Sequence, residues 1–300
     1  AKTDLTTGMV GEFPELQGVM GGLYAAAQGE PQQVADAIYD HYKPAGAGDS
    51  IPRTAEGCLV AIADKLDTLG GLFGLKMMPT GSRDPFALRR GAYGIIQILI
   101  GGGLPVTIDQ LVEISGAGEQ AAALRDFLVE RLRHFLSEAG YAYDEINAVL
   151  AADDHEPLDA AKRCAAIAKV RLSADFEPLA VSFKRVRNIL EKAGGVEVFA
   201  AKRIDEALLE SGAEADLFGA FGTIRGEAAA LKESGDYAQA LAKIAGLRPA
   251  LDRFFDDVLV MAKDEAVREN RLTFLAHLLA ELSTIADFSE IGTGGTEPRP

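Results

Sequence analysis

At 300 residues and 31.8 kDa the chain has length enough for two domains, each able to bury a core without disulfides or metal. Its 30 basic and 45 acidic side chains leave a formal charge of −15, which taken as a whole repels polyanions. The two cysteines, Cys58 and Cys164, have neither a CxxC partner nor companion histidines, which excludes a disulfide framework and a structural zinc site.

Apolar residues recur at three- and four-residue steps almost throughout, which predicts an all-α fold. The opening, Ala1-Lys2-Thr3-Asp4, has no methionine and no charged-then-apolar leader, as expected of a piece of a longer protein. A helix is expected over residues 31–42, opened by Pro31 and stopped before Lys43-Pro44, since the residue ahead of a proline is disfavoured in the α region. From Thr54 a second helix carries Cys58, Leu59, Ile62, Ala63, Leu66 and Leu69 inward. That spacing places Asp64 and Asp67 together on a neighbouring face, where two carboxylates could share a site. Pro79-Thr80-Gly81-Ser82 reads as a turn. Asp84-Pro85 then caps and opens a helix through Ile100, beside Arg83, Arg89 and Arg90. The most apolar run, residues 94–100, is interrupted by Gln97 and is far shorter than the roughly 20 residues of a membrane span. Gly101-Gly102-Gly103 is costly to order and marks the expected edge of the first domain.

Residues 119–139 form a long amphipathic pattern with Leu124, Phe127, Leu128, Leu132, Phe135 and Leu136 inward and Gly140 as its stop. Asp144 and Pro157 each start a further helix. Between Lys162 and Arg203 ten Lys or Arg face four Asp or Glu, so this stretch is basic within an acidic chain. At its centre, between Glu177-Pro178 and Gly194-Gly195, a helix alternates Lys184, Arg185, Arg187 and Lys192 with Phe183, Val186, Ile189 and Leu190. Such a charge run is either a solvated face or a binding face. Helices are expected over 213–234, 236–245, 248–258 and 264–286, then a frayed tail. Asp264 and Arg268, at i and i+4, suit a surface ion pair.

Nucleophile machinery is missing: His41, His134, His155 and His277 fall in four separate segments, and none belongs to a Ser or Cys catalytic pattern. No GxxxxGK[ST] or strand-bound GxGxxG is present, so ATP binding is not expected here. His155 beside Asp153 and Asp154 is either a metal site or a solvated acidic loop.

Ala63-Asp64-Lys65-Leu66 resembles the aspartate-bearing helix of HD-type metal phosphohydrolases. Those enzymes also need a His-Asp pair, which this chain lacks, so the resemblance implies an HD-like helical fold with a vestigial site at Asp64 and Asp67 and no metal. The rival account pairs these carboxylates with Lys65, Arg53 or nearby amides. Three longer strings resemble the β-subunit family of bacterial two-subunit glycyl-tRNA synthetases: Met9-Val10-Gly11-Glu12-Phe13-Pro14-Glu15-Leu16-Gln17-Gly18, Ala63-Asp64-Lys65-Leu66-Asp67-Thr68-Leu69, and Pro79-Thr80-Gly81-Ser82-Arg83-Asp84-Pro85-Phe86-Ala87-Leu88-Arg89-Arg90. Phe183-Lys184-Arg185-Val186-Arg187-Asn188-Ile189-Leu190, Phe254-Phe255-Asp256-Asp257-Val258 and Asp264-Glu265-Ala266-Val267-Arg268 resemble the DALR-type anticodon-binding domain, with valine in place of leucine.

The resemblance implies an HD-like domain over residues 1–103, a helical connector over 104–154, a DALR-type helical bundle over 155–291 and a disordered tail over 292–300. It implies a cytoplasmic hetero-oligomer in which an α subunit activates glycine with ATP and Mg while this subunit engages the glycine tRNA, with no cofactor or catalytic residue in this segment. Lys184, Arg185, Arg187, Asn188 and Arg271 are the candidate RNA contacts. With Val186, Ile189 and Leu190 packed inward, Lys184, Arg185, Arg187 and Asn188 cannot all point one way, so two or three of these four are expected to face RNA. Phe254 and Phe255 suit core positions better than stacking platforms. Arg83, Arg89 and Arg90 are candidates for contact with the tRNA acceptor arm or the α subunit, against a purely structural capping turn. A metal-dependent phosphohydrolase and a subunit-assembly module without RNA contact are the alternative functions.

Overall fold

A computed structural model of the chain describes residues 1–46, 48–152, 155–173 and 176–292, the side chain of Leu282 excepted. Asp153, Asp154 and the expected tail from residue 293 lie outside the described residues. The fold is all-α, and no strand occurs among the described residues. The chain divides into two compact units, residues 1–139 with 154–161, and residues 140–153 with 162 onward.

The first unit holds α1 (Gly8–Glu12), α2 (Val19–Ala27), α3 (Gln32–Asp40), α4 (Ala55–Gly74), α5 (Leu88–Gly101), α6 (Ile108–Ile114) and α7 (Ala121–Glu138). The α5 helix sits at its centre, with Leu88, Ala92, Ile95, Ile96, Ile98 and Leu99 buried, because its apolar residues cover more than one stripe. Onto it pack α4 and the Leu124, Leu128, Leu132, Leu136 ridge of α7. The inward stripe of α4 runs through Cys58, Ala61, Ile62, Leu66, Leu69 and Phe73; Leu59, expected on it, is 57% exposed. Helix α5 begins later than expected. Asp84 does cap it, accepting from the amides of Leu88 at 2.8 Å and Arg89 at 2.9 Å, but Ala87 adopts a left-handed conformation that delays the first turn.

The three glycines at 101–103 end a helix and not a domain. The Leu104 amide returns to the Leu99 carbonyl at 2.9 Å and Gly103 has a φ of +66°, the Schellman geometry that only a residue without a Cβ enters cheaply. The chain then turns back into the same unit, so residues 104–139 complete the first core instead of forming a connector.

The second unit holds α8 (Tyr143–Leu150), α9 (Pro157–Val170) from residue 162 on, α10 (Phe176–Ala193), α11 (Val196–Ala200), α12 (Ala213–Glu233), α13 (Tyr237–Ala245), α14 (Arg248–Asp257) and α15 (Glu265–Leu282). Here α15 is the central helix: Leu272, Phe274, Leu275, Ala276, Leu278 and Leu279 are buried, and α10, α11 and α12 pack around it. Aromatic side chains fill the core, with Phe288 against Phe176 and Phe183 at ring separations of 5.8 and 5.4 Å. No helix among the described residues is long and apolar enough to cross a membrane.

Candidate nucleic-acid interface

Helix α10 is amphipathic. Phe176, Leu179, Phe183, Val186 and Leu190 are buried in the second unit, which turns the opposite face outward. Val181, Lys184, Arg185, Asn188, Ile189 and Lys192 line a shallow groove of about 370 Å³ on that face. Lys184, Asn188 and Lys192 stand at i, i+4 and i+8, one above another on the helix surface. None of these three side chains has a hydrogen-bond or ion-pair partner among the described residues. The two carboxylates of the helix, Glu177 and Glu191, are exposed and lie outside the groove lining.

Most cations elsewhere in this unit are neutralised by the fold. Arg171 reaches Asp144 at 2.8 Å, Arg253 reaches Asp216 at 2.8 Å, Lys202 reaches Glu269 at 2.6 Å and Lys243 reaches Glu227 at 2.7 Å. Arg187, on the flank of α10, is bound to Asp287 and points away from the groove. Thus three of the five candidate RNA contacts, Lys184, Arg185 and Asn188, share one face. Lys192 joins them, and its spacing from Asn188 is the sequence signal that identifies it.

Arg271 has a different place from the one expected. It is 3% exposed, donates to Glu214 Oε2 through Nε at 3.0 Å and Nη2 at 2.8 Å, and pairs with Glu210 at 2.7 Å. Burial works against its charge, but these two carboxylates raise its pKa. It holds the core of the unit together and has no path to a phosphate. Asp264 is also reassigned. Its carboxylate caps α15 by accepting from the amides of Ala266 at 2.9 Å and Val267 at 3.1 Å, while Arg268 turns to Glu265 at 3.5 Å and the Ala262 carbonyl at 3.3 Å.

Phe254 is buried as expected. Phe255 is only half-buried, and the guanidinium carbon of Arg185 lies over its ring, 4.0 Å from the centroid.

In the first unit the residues around Asp64 do not assemble a metal site. Lys2 places its ammonium 2.8 Å from Asp64 and over the ring of Tyr42 at 4.8 Å. Asp67 is exposed. His41 is buried with Nδ1 against the Ile38 carbonyl at 2.6 Å, and burial pushes its pKa down. Among the described residues no group of three or more His, Cys, Asp or Glu is placed to hold a metal ion. His155 instead lies 3.2 Å from Arg125.

The segment leading into α5 is an exposed surface of another kind. Arg89 is tied to the Gly81 carbonyl at 2.6 Å, while Arg83 and Arg90 are exposed and their side chains have no partner among the described residues. Around them in sequence Leu75, Met77, Met78 and Phe86 are 71%, 43%, 36% and 46% exposed.

Comparison with known proteins gives two family matches along the chain. Residues 1–151 match the family model described as glycyl-tRNA synthetase beta subunit, and residues 179–288 match the DALR anticodon binding domain, which takes in α10 from residue 179 on and all of α14 and α15. The chain is 48% identical over 303 residues to the glycine-tRNA ligase beta subunit of Acidobacterium capsulatum, covering 97% of this chain and 43% of the relative. It is 46% identical over 297 residues to that of a Janthinobacterium species and 45% identical over 302 residues to that of Anaeromyxobacter dehalogenans, in each case covering 97% of this chain and 42% of the relative. The chain therefore spans about two-fifths of the length of these relatives. With a family model matching half of its length and such relatives along nearly all of it, this chain belongs to the glycyl-tRNA synthetase beta-subunit family.

Proposed function

We propose that this chain is the tRNA-recognising part of a glycine-tRNA ligase β subunit, and that the α10 groove meets the anticodon loop. The observation that carries this reading is the set of cations without carboxylate partners, Lys184, Arg185 and Lys192, together with the amide of Asn188, on one exposed face of the DALR-type domain. Lysines without carboxylate partners attract phosphates, and a free amide can address a base edge. A local basic face can act within an acidic chain because charges beyond about 8–10 Å are screened at physiological salt.

Glycine activation with ATP and Mg then belongs to a separate α subunit, in a cytoplasmic hetero-oligomer. Arg83, Arg90, Phe86 and Met77 form the surface that meets that subunit, since Met, Arg and aromatic residues are the types enriched at protein interfaces. Reversing Arg90 to Glu is expected to weaken assembly with the α subunit in sedimentation or pull-down; unchanged assembly with weakened tRNA binding would assign the surface to the acceptor arm instead.

The test of the main reading is a titration of the full β subunit, with its α subunit, against glycine tRNA, the same tRNA with its anticodon replaced, and an unrelated tRNA at two salt concentrations. Lys184→Glu is expected to weaken binding to all three alike, the mark of a phosphate contact. Asn188→Ala is expected to weaken only the native anticodon. Wild-type affinity in both variants would remove the groove from the interface.

A further inference from the structure

Arg185 differs from the other groups of the groove in how it is held. Its guanidinium has no carboxylate partner; its contact is the face of Phe255, 4.0 Å from the ring centroid. That ring is anchored in turn. Phe255 stands edge-on to Phe254 at 5.6 Å and 68°, and the buried Phe254 stands edge-on to the core residue Phe274 at 6.4 Å and 90°. A line of aromatic contacts therefore runs from the centre of the second unit to a planar cation at its surface. The guanidinium carbon of that cation lies over the Phe255 ring, while Arg185 as a whole remains exposed and lines the groove.

A guanidinium held in this way differs chemically from a lysine. It is flat, delocalised and weakly hydrated, so an aromatic ring can stack on it without stripping away a tight water shell. Asn188 is three residues further along the same helix, so it neighbours Arg185, and its amide offers a donor and an acceptor side by side. Lys184 and Lys192 are eight residues apart, about 12 Å at the helical rise of 1.5 Å per residue, and bracket the pair. A duplex presents its bases already stacked and cannot use such a platform, whereas a loop nucleotide with its base turned out can.

We infer that Arg185, seated on Phe255, is a stacking platform for a single unpaired nucleobase, that Asn188 addresses the edge of that base, and that Lys184 and Lys192 take the flanking phosphates. This rests on the reading of the α10 groove as the face that meets tRNA. Phe255 is a positioning residue: it holds the plane of Arg185 and does not itself touch RNA.

The experiment uses the full β subunit with its α subunit and a set of glycine-tRNA transcripts, each lacking the base at one anticodon-loop position. Arg185→Lys keeps the charge and loses the plane, and as a change at an exposed position it leaves the fold in place. It is expected to weaken binding of the intact tRNA about tenfold, the scale of one base-aromatic stack, with little change in salt dependence. The loss should vanish against one abasic transcript, because that transcript has already lost the stacked base. Phe255→Leu should mimic Arg185→Lys, and Phe255→Tyr should restore binding, which a merely space-filling residue would not require. If Arg185→Lys binds like wild type while Arg185→Gln is weakened, Arg185 is a point charge and the stacking proposal is overturned, although the groove still binds tRNA. If Lys184→Glu and Lys192→Glu also leave binding unchanged, the reading of the groove itself fails and the proposal with it.

Discussion

Arg271 and Glu214 meet inside the second unit, where two guanidinium nitrogens donate to one carboxylate oxygen and the side chains are 4% and 1% exposed. The contact joins the centre of α15 to the first turn of α12. Removing Arg271 strands the Glu214 carboxylate in a medium that cannot solvate it, so Arg271→Ala is expected to cost about 3–5 kcal/mol of stability. Chemical denaturation of the variant checks this, and a loss below about 1 kcal/mol would place Arg271 among the solvent-screened pairs. At temperatures where the variant stays folded, its tRNA affinity is expected to match wild type.

Asp264 acts through the backbone, not through Arg268. Asp264→Ala should destabilise the second unit by about 1 kcal/mol, the usual cost of losing an N-cap, and Asp264→Asn should recover most of it. Arg268→Ala removes only partly exposed contacts and is expected to cost about 0.5 kcal/mol or less. Equal losses at the two positions would restore the ion pair as the main contribution.

Two neighbouring glycines in α4 give opposite outcomes. A Cβ on Gly70 would stand 1.7 Å from the Ser115 carbonyl oxygen, whereas one on Gly71 meets nothing within 4 Å. Gly70→Ala must push α4 off the loop after α6 and should cost about 3 kcal/mol. Gly71→Ala should gain about 0.5–1 kcal/mol from helix propensity. Thermal melts of the two variants provide the check.

Lys65 carries a pH dependence. Its ammonium donates to the carbonyls of His41, Tyr42 and Lys43 at 3.4, 3.3 and 2.9 Å, and burial pulls its pKa from 10.5 down to about 8. The folded state thus binds this proton less tightly than the unfolded chain. The contribution of Lys65 to stability therefore rises as pH climbs from about 8 to 10.5 and costs most below about pH 8. Between pH 7 and 10 the unfolding free energy of wild type should gain on that of Lys65→Met. A constant difference across that range would show that the carbonyls fully compensate the burial.

Much of the local structure was legible in the residues. Helical periodicity located the long elements, and Asp84 capped α5, because capping and amphipathic spacing are short-range effects. Leu59 escaped this reasoning, since the stripe that is buried depends on where α5 and α7 pack. The glycines at 101–103 did too: a helix stop and a domain boundary use the same residue, and only the Leu104-to-Leu99 hydrogen bond separates them. Phe255 was expected in the core beside Phe254, yet helix geometry points adjacent side chains in different directions, so one is buried and the other reaches the surface.

Taken alone, the sequence determined an all-α protein, its basic stretch and its family resemblance, because composition, period and motif are properties of neighbouring residues. Which cations remain available was decided only by the tertiary structure. Arg187 and Asp287 are 100 positions apart and Arg271 and Glu214 are 57 apart, yet each pair is closed by the fold. Lys184 and Lys192 are left open on the same terms, because charge is neutralised by what is near in space.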